Sequence, residues 1–73
     1  MNDLKYIIIA ETFPIIFSAA LTHKDLTTML SPTSAGFCSR GTDGKWTCYG
    51  ESLSLDLKSR GQEDSDLLNL FIQ

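Results

Sequence analysis

The sequence predicts an α+β fold: a small antiparallel β-sheet made of two hairpins, in the order ββαββ(β)α, with helices packed on one face. Three observations predict it. Lys5-Tyr-Ile-Ile-Ile-Ala-Glu11 is a β-branched run followed by a proline break and a second apolar run. Gly41-Thr-Asp-Gly-Lys45 has the chemistry of a tight hairpin loop between two strand-prone segments. Leu67, Leu68, Phe71 and Ile72 form an apolar stripe at helical spacing.

Each element has a local cause. Glu11-Thr-Phe-Pro14 interrupts the first strand, because Pro14 has a fixed φ and no N–H and so suits a turn or a strand start. Ile15-Ile-Phe17 resumes as the second strand. The pair is apolar without alternation, which predicts burial on both faces, the second against another subunit. Thr22 is an N-cap residue and Asp25 its reciprocal partner, so a short helix begins there. Leu26, Met29 and Leu30 would face inward, and Ser31-Pro32 would end the helix. Ser34 to Arg40 is the third strand. Lys45 starts the fourth, which runs through Trp46, Cys48 and Tyr49, and Gly50 marks a bulge or a bend. Ser52-Leu-Ser-Leu-Asp-Leu57 alternates strictly and is expected to continue in β form with its leucines on one face. Ser59 or Gly61 opens the last helix, with Gln62, Glu63 and Asp64 in its first turn, where carboxylates suit the helix dipole.

The loop chemistry sets a register. If Thr42-Asp43-Gly44 is the loop, with Gly44 left-handed, Gly41 pairs with Lys45. Arg40 then faces Trp46, Ser39 faces Thr47, Cys38 faces Cys48, Phe37 faces Tyr49 and Gly36 faces Gly50. The aromatic pair Phe37 and Tyr49, with Leu53, Leu55 and Leu57, is assigned to the core. Arg40, Trp46, Cys38, Cys48, Ser52 and Ser54 fall on the other face, which reads either as solvated or as a binding surface with Arg40 over Trp46. Cys38 and Cys48 are close enough for a disulfide. Three readings stay open for them: space-filling thiols, a disulfide bridge, or a redox switch.

The chain has 73 residues, which makes one domain, 1–73, with a small core. Two cysteines allow one bridge at most, and His23 is the sole histidine, without zinc-ligand spacing. A homo-oligomer is therefore the expected remaining source of stability. The formal charge of −3 disfavours general nucleic-acid binding, which needs a clustered basic surface. It permits a host protein partner or a small phosphate-bearing nucleotide held by a few basic residues. The apolar stretch Tyr6 to Leu21 is interrupted by Glu11 and Pro14 and flanked by Asp3 as well as Lys5, which is neither a signal-peptide nor a membrane-span pattern. A soluble, cytoplasmic protein is expected.

No catalytic motif is present in the sequence. Gly50-Glu-Ser52 is not a nucleophile elbow, and the glycines lack phosphate-loop spacing. The expectation is a non-enzymatic chain that uses no cofactor and no metal. The candidate ligand or partner contacts are His23, Arg40, Trp46, Ser52, Ser54 and Arg60. His23 reads either as a capped or interfacial side chain or as a ligand contact. Ser59 and Arg60, before the last helix, read either as ordinary capping or, with Ser52 and Ser54, as a cradle for an anion.

Pro14-Ile-Ile-Phe17, His23, Ser34-Ala-Gly-Phe37, Gly50-Glu-Ser-Leu-Ser-Leu55, Ser59-Arg60 and Asp64 together resemble small reading frames of bacteriophages and their metagenomic relatives, over most of the chain. That resemblance implies a viral protein acting in the host cytosol by binding. It would inhibit a host defence protein through surface recognition. The alternatives are a homo-oligomeric sponge for a nucleotide second messenger, or a structural or assembly protein.

Overall fold

In the computed structural model, which describes residues 3–26 and 30–72, the β-branched run forms β1 (Leu4–Ile9) and the segment after the break forms β2 (Phe13–Phe17). A single turn, α1 (His23–Leu26), follows. The central hairpin is β3 (Pro32–Arg40) and β4 (Trp46–Tyr49). A short ribbon, β5 (Glu51–Ser52) and β6 (Leu57–Lys58), leads to α2 (Gln62–Phe71). The four long strands form one antiparallel sheet in the order β2-β1-β3-β4, and α2 packs on it, giving an α+β fold.

The local rules hold where side chain and backbone meet directly. Gly41 N–H bonds the Lys45 carbonyl at 2.8 Å, and Gly44 has φ 82°, the left-handed value that the loop needs. The resulting pairs are Phe37 with Tyr49, Cys38 with Cys48, Ser39 with Thr47 and Arg40 with Trp46, as the loop dictates. Thr22 Oγ1 accepts the Asp25 N–H at 3.0 Å, and Asp25 Oδ2 accepts the Thr22 N–H at 3.2 Å, a complete capping box. The Leu26 side chain and Met29, expected to face inward, lie outside the described residues, and Leu30 is exposed. The β1–β2 turn puts two ordinary residues, Ala10 (φ 53°) and Glu11 (φ 61°), in the left-handed region. Thr33 steadies that turn: it is the extra residue where the β1–β3 register shifts, and its Oγ1 accepts the Glu11 N–H at 3.1 Å.

The assignment of faces is corrected. Tyr6, Ile8, Cys38, Cys48, Trp46 and Leu68 form the buried cluster under α2, with Leu4, Ile16, Leu67 and Ile72 packed around it. Phe37 and Tyr49, expected in the core, lie on the opposite face, where Tyr49 is exposed. Trp46, expected to meet a partner, is 9% exposed because α2 lies over it. The physical reason is the pairing of α2 with this face: Asp64 accepts the Tyr6 hydroxyl, and Leu68 packs among Tyr6, Ile8 and Trp46. Gly36 makes room for the chain as it leaves β4: a Cβ on it would sit 2.6 Å from the Tyr49 carbonyl oxygen.

The segment after Gly50 is corrected too. Gly50 (φ 78°) ends β4, and Leu53 to Asp56 form a turn rather than a strand. The three leucines do not share a buried face, and Leu53 is 85% exposed.

The outer edge of β4 is closed by α2. The Gly41–Lys45 bond fixes which amides point outward along every strand. On β4 these belong to Trp46 and Cys48. Asn69 of α2 accepts the Trp46 N–H at 2.7 Å and returns its amide to the Trp46 carbonyl at 3.0 Å, while Ser65 Oγ accepts the Cys48 N–H at 2.8 Å. A helix thus supplies the hydrogen bonds of a missing strand. On β2 the outward positions fall to Pro14, which has no N–H to offer, and to Ile16, which has one.

Two substitutions test this backbone in opposite directions. Gly36→Ala should lose about 2 kcal/mol of unfolding free energy, because the backbone carbonyl it meets cannot yield cheaply. Glu11→Gly should gain about 1 kcal/mol by relieving a left-handed residue. Urea denaturation of the two variants against the parent chain measures both.

Candidate functional site

Asp64 lies in the first turn of α2 and is fully buried. Its Oδ2 accepts the Tyr6 hydroxyl at 2.5 Å and the Arg60 N–H at 3.0 Å, and its Oδ1 accepts Arg60 Nε at 2.8 Å. The Tyr6 oxygen also has Ser59 Oγ at 2.6 Å. Tyr6 has one proton and the carboxylate is the stronger acceptor, so Ser59 supplies the proton of that second bond. Burial pushes the Asp64 carboxyl up, but these bonds outweigh it and hold the group below its ordinary 3.8; the Ser34 hydroxyl adds to the lowering. Burial, then Asp64, pushes the Tyr6 phenol far up, which keeps it a donor.

This arrangement settles the place of Arg60. Its guanidinium binds Asp64, sits 3.7 Å from Glu63, and reaches the Glu11 carbonyl at 3.4 Å. The anion at the start of the last helix is the protein's own carboxylate, and the expected cradle for an external phosphate is filled from within.

Arg40 and Trp46 do meet, with the guanidinium 5.5 Å from the ring centroid and Arg40 Nε on the Gly44 carbonyl at 2.8 Å. Arg40 is exposed, but the ring it covers belongs to the core. The pair works as a lid on Trp46.

His23, Ser52 and Ser54 come together. They line a cleft of about 250 Å³ with Lys5, Phe37 and Leu53. Three elements build it: the sheet face opposite α2, the start of α1, and the β5–β6 ribbon. His23 is buried and stands edge-on between Phe17 (5.4 Å) and Phe37 (6.0 Å), with Nε2–H donated to the Gly36 carbonyl at 2.8 Å. Burial first, and then the Lys5 charge, lower its pKa, against the opposing pull of that carbonyl. Lys5 Nζ donates to the Leu21 carbonyl at 2.7 Å and lies 5.8 Å from the Phe37 ring centroid. Ser52 is buried, and its Oγ is 3.4 Å from Ser54 Oγ.

Cys38 and Cys48 are both free and buried beneath α2. Burial raises the Cys38 thiol to about 12 and the Cys48 thiol to about 11, the latter eased by Ser65. Such thiols hold little thiolate at neutral pH and are poor nucleophiles.

A different surface is apolar and open. Phe13 on β2 and Phe71 on α2 are 59% and 49% exposed, with ring centroids 6.2 Å apart. Ile15 on β2 and Leu70 on α2 are also exposed.

Sequence reasoning passed over Tyr6, Ser65, Asn69 and Lys5. For Asp64 a signal existed: Arg60 precedes it by four residues, and the third helical position is where an acidic side chain reaches back to the chain before the helix. Among the described residues, no group of three His, Cys, Asp or Glu side chains could hold a metal, and no helix is long and apolar enough to cross a membrane. No family model, curated protein or solved structure matches the chain.

Titration should separate the two buried groups. The folded pKa of His23 lies below its unfolded 6.5, so the unfolded chain takes up protons first and stability declines as pH falls below about 6.5. The depressed Asp64 carboxyl gives stability that persists above 3.8 and is lost only as pH falls through its folded value. In urea midpoints measured from pH 8 to pH 3, His23→Gln should flatten the upper decline and leave the lower one. The thiols offer a second check: labelling of the native chain by Ellman's reagent at pH 8 should be about a hundredfold or more slower than in urea. A fast native phase would place a thiol at the surface.

Proposed function

We propose that this chain is a non-enzymatic, virus-encoded binding protein that inhibits a host protein by surface recognition in the host cytosol. The observation that carries this reading is the exposed pair Phe13 and Phe71, side by side where β2 meets the end of α2, with exposed Ile15 and Leu70 on the same two elements. Grouped exposed aromatic and aliphatic side chains on a small chain mark a contact surface. The β4 edge supports it further: Asn69 and Ser65 occupy its outward amides, so strand addition is blocked there and side-chain recognition is favoured. Recognition is thereby moved from Arg40 and Trp46, which close the core, to the rim of the sheet.

The chemistry of the buried groups supports a non-enzymatic reading. His23 donates its Nε2 proton to a backbone carbonyl, the thiols are raised, and Asp64 and Arg60 are bound to each other. The sponge reading loses the arginine it would have placed on a phosphate, since Arg60 is held by Asp64. Self-association, the expected homo-oligomer, would have to use the same apolar rim or a sheet face.

Purified chain immobilised through its N-terminus should retain a specific protein from bacterial lysate. Replacing both Phe13 and Phe71 by Ser should abolish that retention, with the melting temperature within a few degrees of the parent, and Arg40→Ala should leave it intact. Equal retention by the double variant would overturn the assignment. Light scattering of parent and double variant identifies self-association: a dimer that the substitutions dissolve assigns the rim to a second copy.

A further inference from the structure

The cleft beneath the β5–β6 ribbon is independent of the apolar rim, and its lining has a definite chemical character. The apolar lining is Phe37 and Leu53, the latter 85% exposed at the turn. An exposed leucine and an aromatic ring in one small cleft are costly in water and useful against an apolar ligand.

The polar groups are few and placed at the ends. Lys5 brings the cleft's positive charge. One of its three N–H groups is used on the Leu21 carbonyl, which leaves two. Ser52 is 2% exposed, and its hydroxyl meets Ser54 Oγ at 3.4 Å, the far limit of a hydrogen bond. A buried hydroxyl held that loosely has bonding capacity left over. Glu51 also lines the cleft, so a ligand with several negative charges would be repelled, while one acidic group directed at Lys5 would not. The volume of about 250 Å³ lies just below the range of drug-sized pockets and suits one ring or two fused rings.

We propose that this cleft binds a small aromatic monoanion: its ring packed against Phe37 and Leu53, with a single acidic group on Lys5 Nζ and the Ser52 hydroxyl. The lysine ammonium lies over the Phe37 ring, 5.8 Å from its centroid, and Tyr49 stacks on that ring, so one small ligand reaches the charge and the aromatic side chain together. Arg60, fixed on Asp64, contributes nothing here, and polyphosphate nucleotides are excluded by charge and size.

The test is a titration of isotope-labelled full-length chain followed by NMR, with indole-3-acetate as the main probe. Its neutral amide, cyclohexylacetate and inorganic phosphate are the comparisons. The expected result is saturable shifts at Lys5, His23, Phe37 and Ser52 with a Kd of about 1 mM or tighter. The amide and cyclohexylacetate should each bind about tenfold more weakly, and phosphate should not saturate. Lys5→Met should weaken indole-3-acetate about tenfold and leave the amide unchanged, erasing the preference for charge. Ser52→Ala gives a second variant that keeps the lysine and should weaken the acid severalfold. No saturable shift at these residues, an equal response to cyclohexylacetate, saturation by phosphate alone, or an unchanged charge preference in Lys5→Met would each overturn the proposal. Phe13→Ser should bind the probe as the parent does; loss in that variant would also overturn it, by placing the ligand at the apolar rim.

Discussion

The buried carboxylate of Asp64 is the interaction on which the rest of this structure depends. A charge wholly removed from water is tolerable only when its oxygens are met by donors, and here three donors from two separate regions meet them. Tyr6 comes from the second strand of the sheet order, and the Arg60 amide and guanidinium come from the approach to α2. The requirement therefore fixes where the helix begins, how far it lies from the sheet, and which face of the sheet it covers. Hydrophobic contact between Leu68 and its neighbours is non-directional and would tolerate a shifted helix. The carboxylate would not.

From that anchored start the helix performs two jobs that are usually separate. Leu67, Leu68 and Ile72 fill the core, while Ser65 and Asn69 close the open edge of β4. The two functions share one helix because Ser65 and Asn69, one turn apart, form a stripe at the sheet's margin while Leu68 and Ile72, also one turn apart, form the adjoining stripe over its face. A strand edge left bare would be a template for another chain. Here the edge is occupied by a carboxamide that both donates and accepts, as a neighbouring strand would. At the far margin Pro14 removes one outward donor and Ile16 keeps another.

The parts of this fold that were legible in the sequence are those decided by a few neighbouring residues. Asp43-Gly44 fixes a loop, the loop fixes every pair from Phe37 to Trp46, and Thr22 with Asp25 fixes the start of α1. The choice of face was not legible from the strands alone. Phe37 and Tyr49 are the larger pair, and by size they belong inside. Yet the face that α2 covers also carries large side chains, Tyr6, Ile8 and Trp46, and the bond from Tyr6 to Asp64 selects it. Size within one strand pair was a cue to the wrong face because the deciding partners lie on β1 and α2. The alternation of Ser52 to Leu57 misled for a related reason: period two describes a strand only where a neighbouring strand exists to pair with it, and Gly50 turns the chain away from one.

The candidate contacts were sorted by the same logic. A residue type proposed from chemistry alone has two fates, to face outward or to satisfy a buried partner, and the sequence does not show the partner. Arg60 and Trp46 were absorbed by Asp64 and by α2, because an arginine beside a buried carboxylate and a large ring beneath a helix gain more from the fold than from solvent. His23, Ser52 and Ser54 were left together since the ribbon that carries the serines is too short to be covered and is held in place by its own turn. The aromatic face that the sheet did not need for its core thus became the wall of a cleft. The displacement of Phe37 from the interior and the existence of that cleft are one consequence of where Asp64 set the helix.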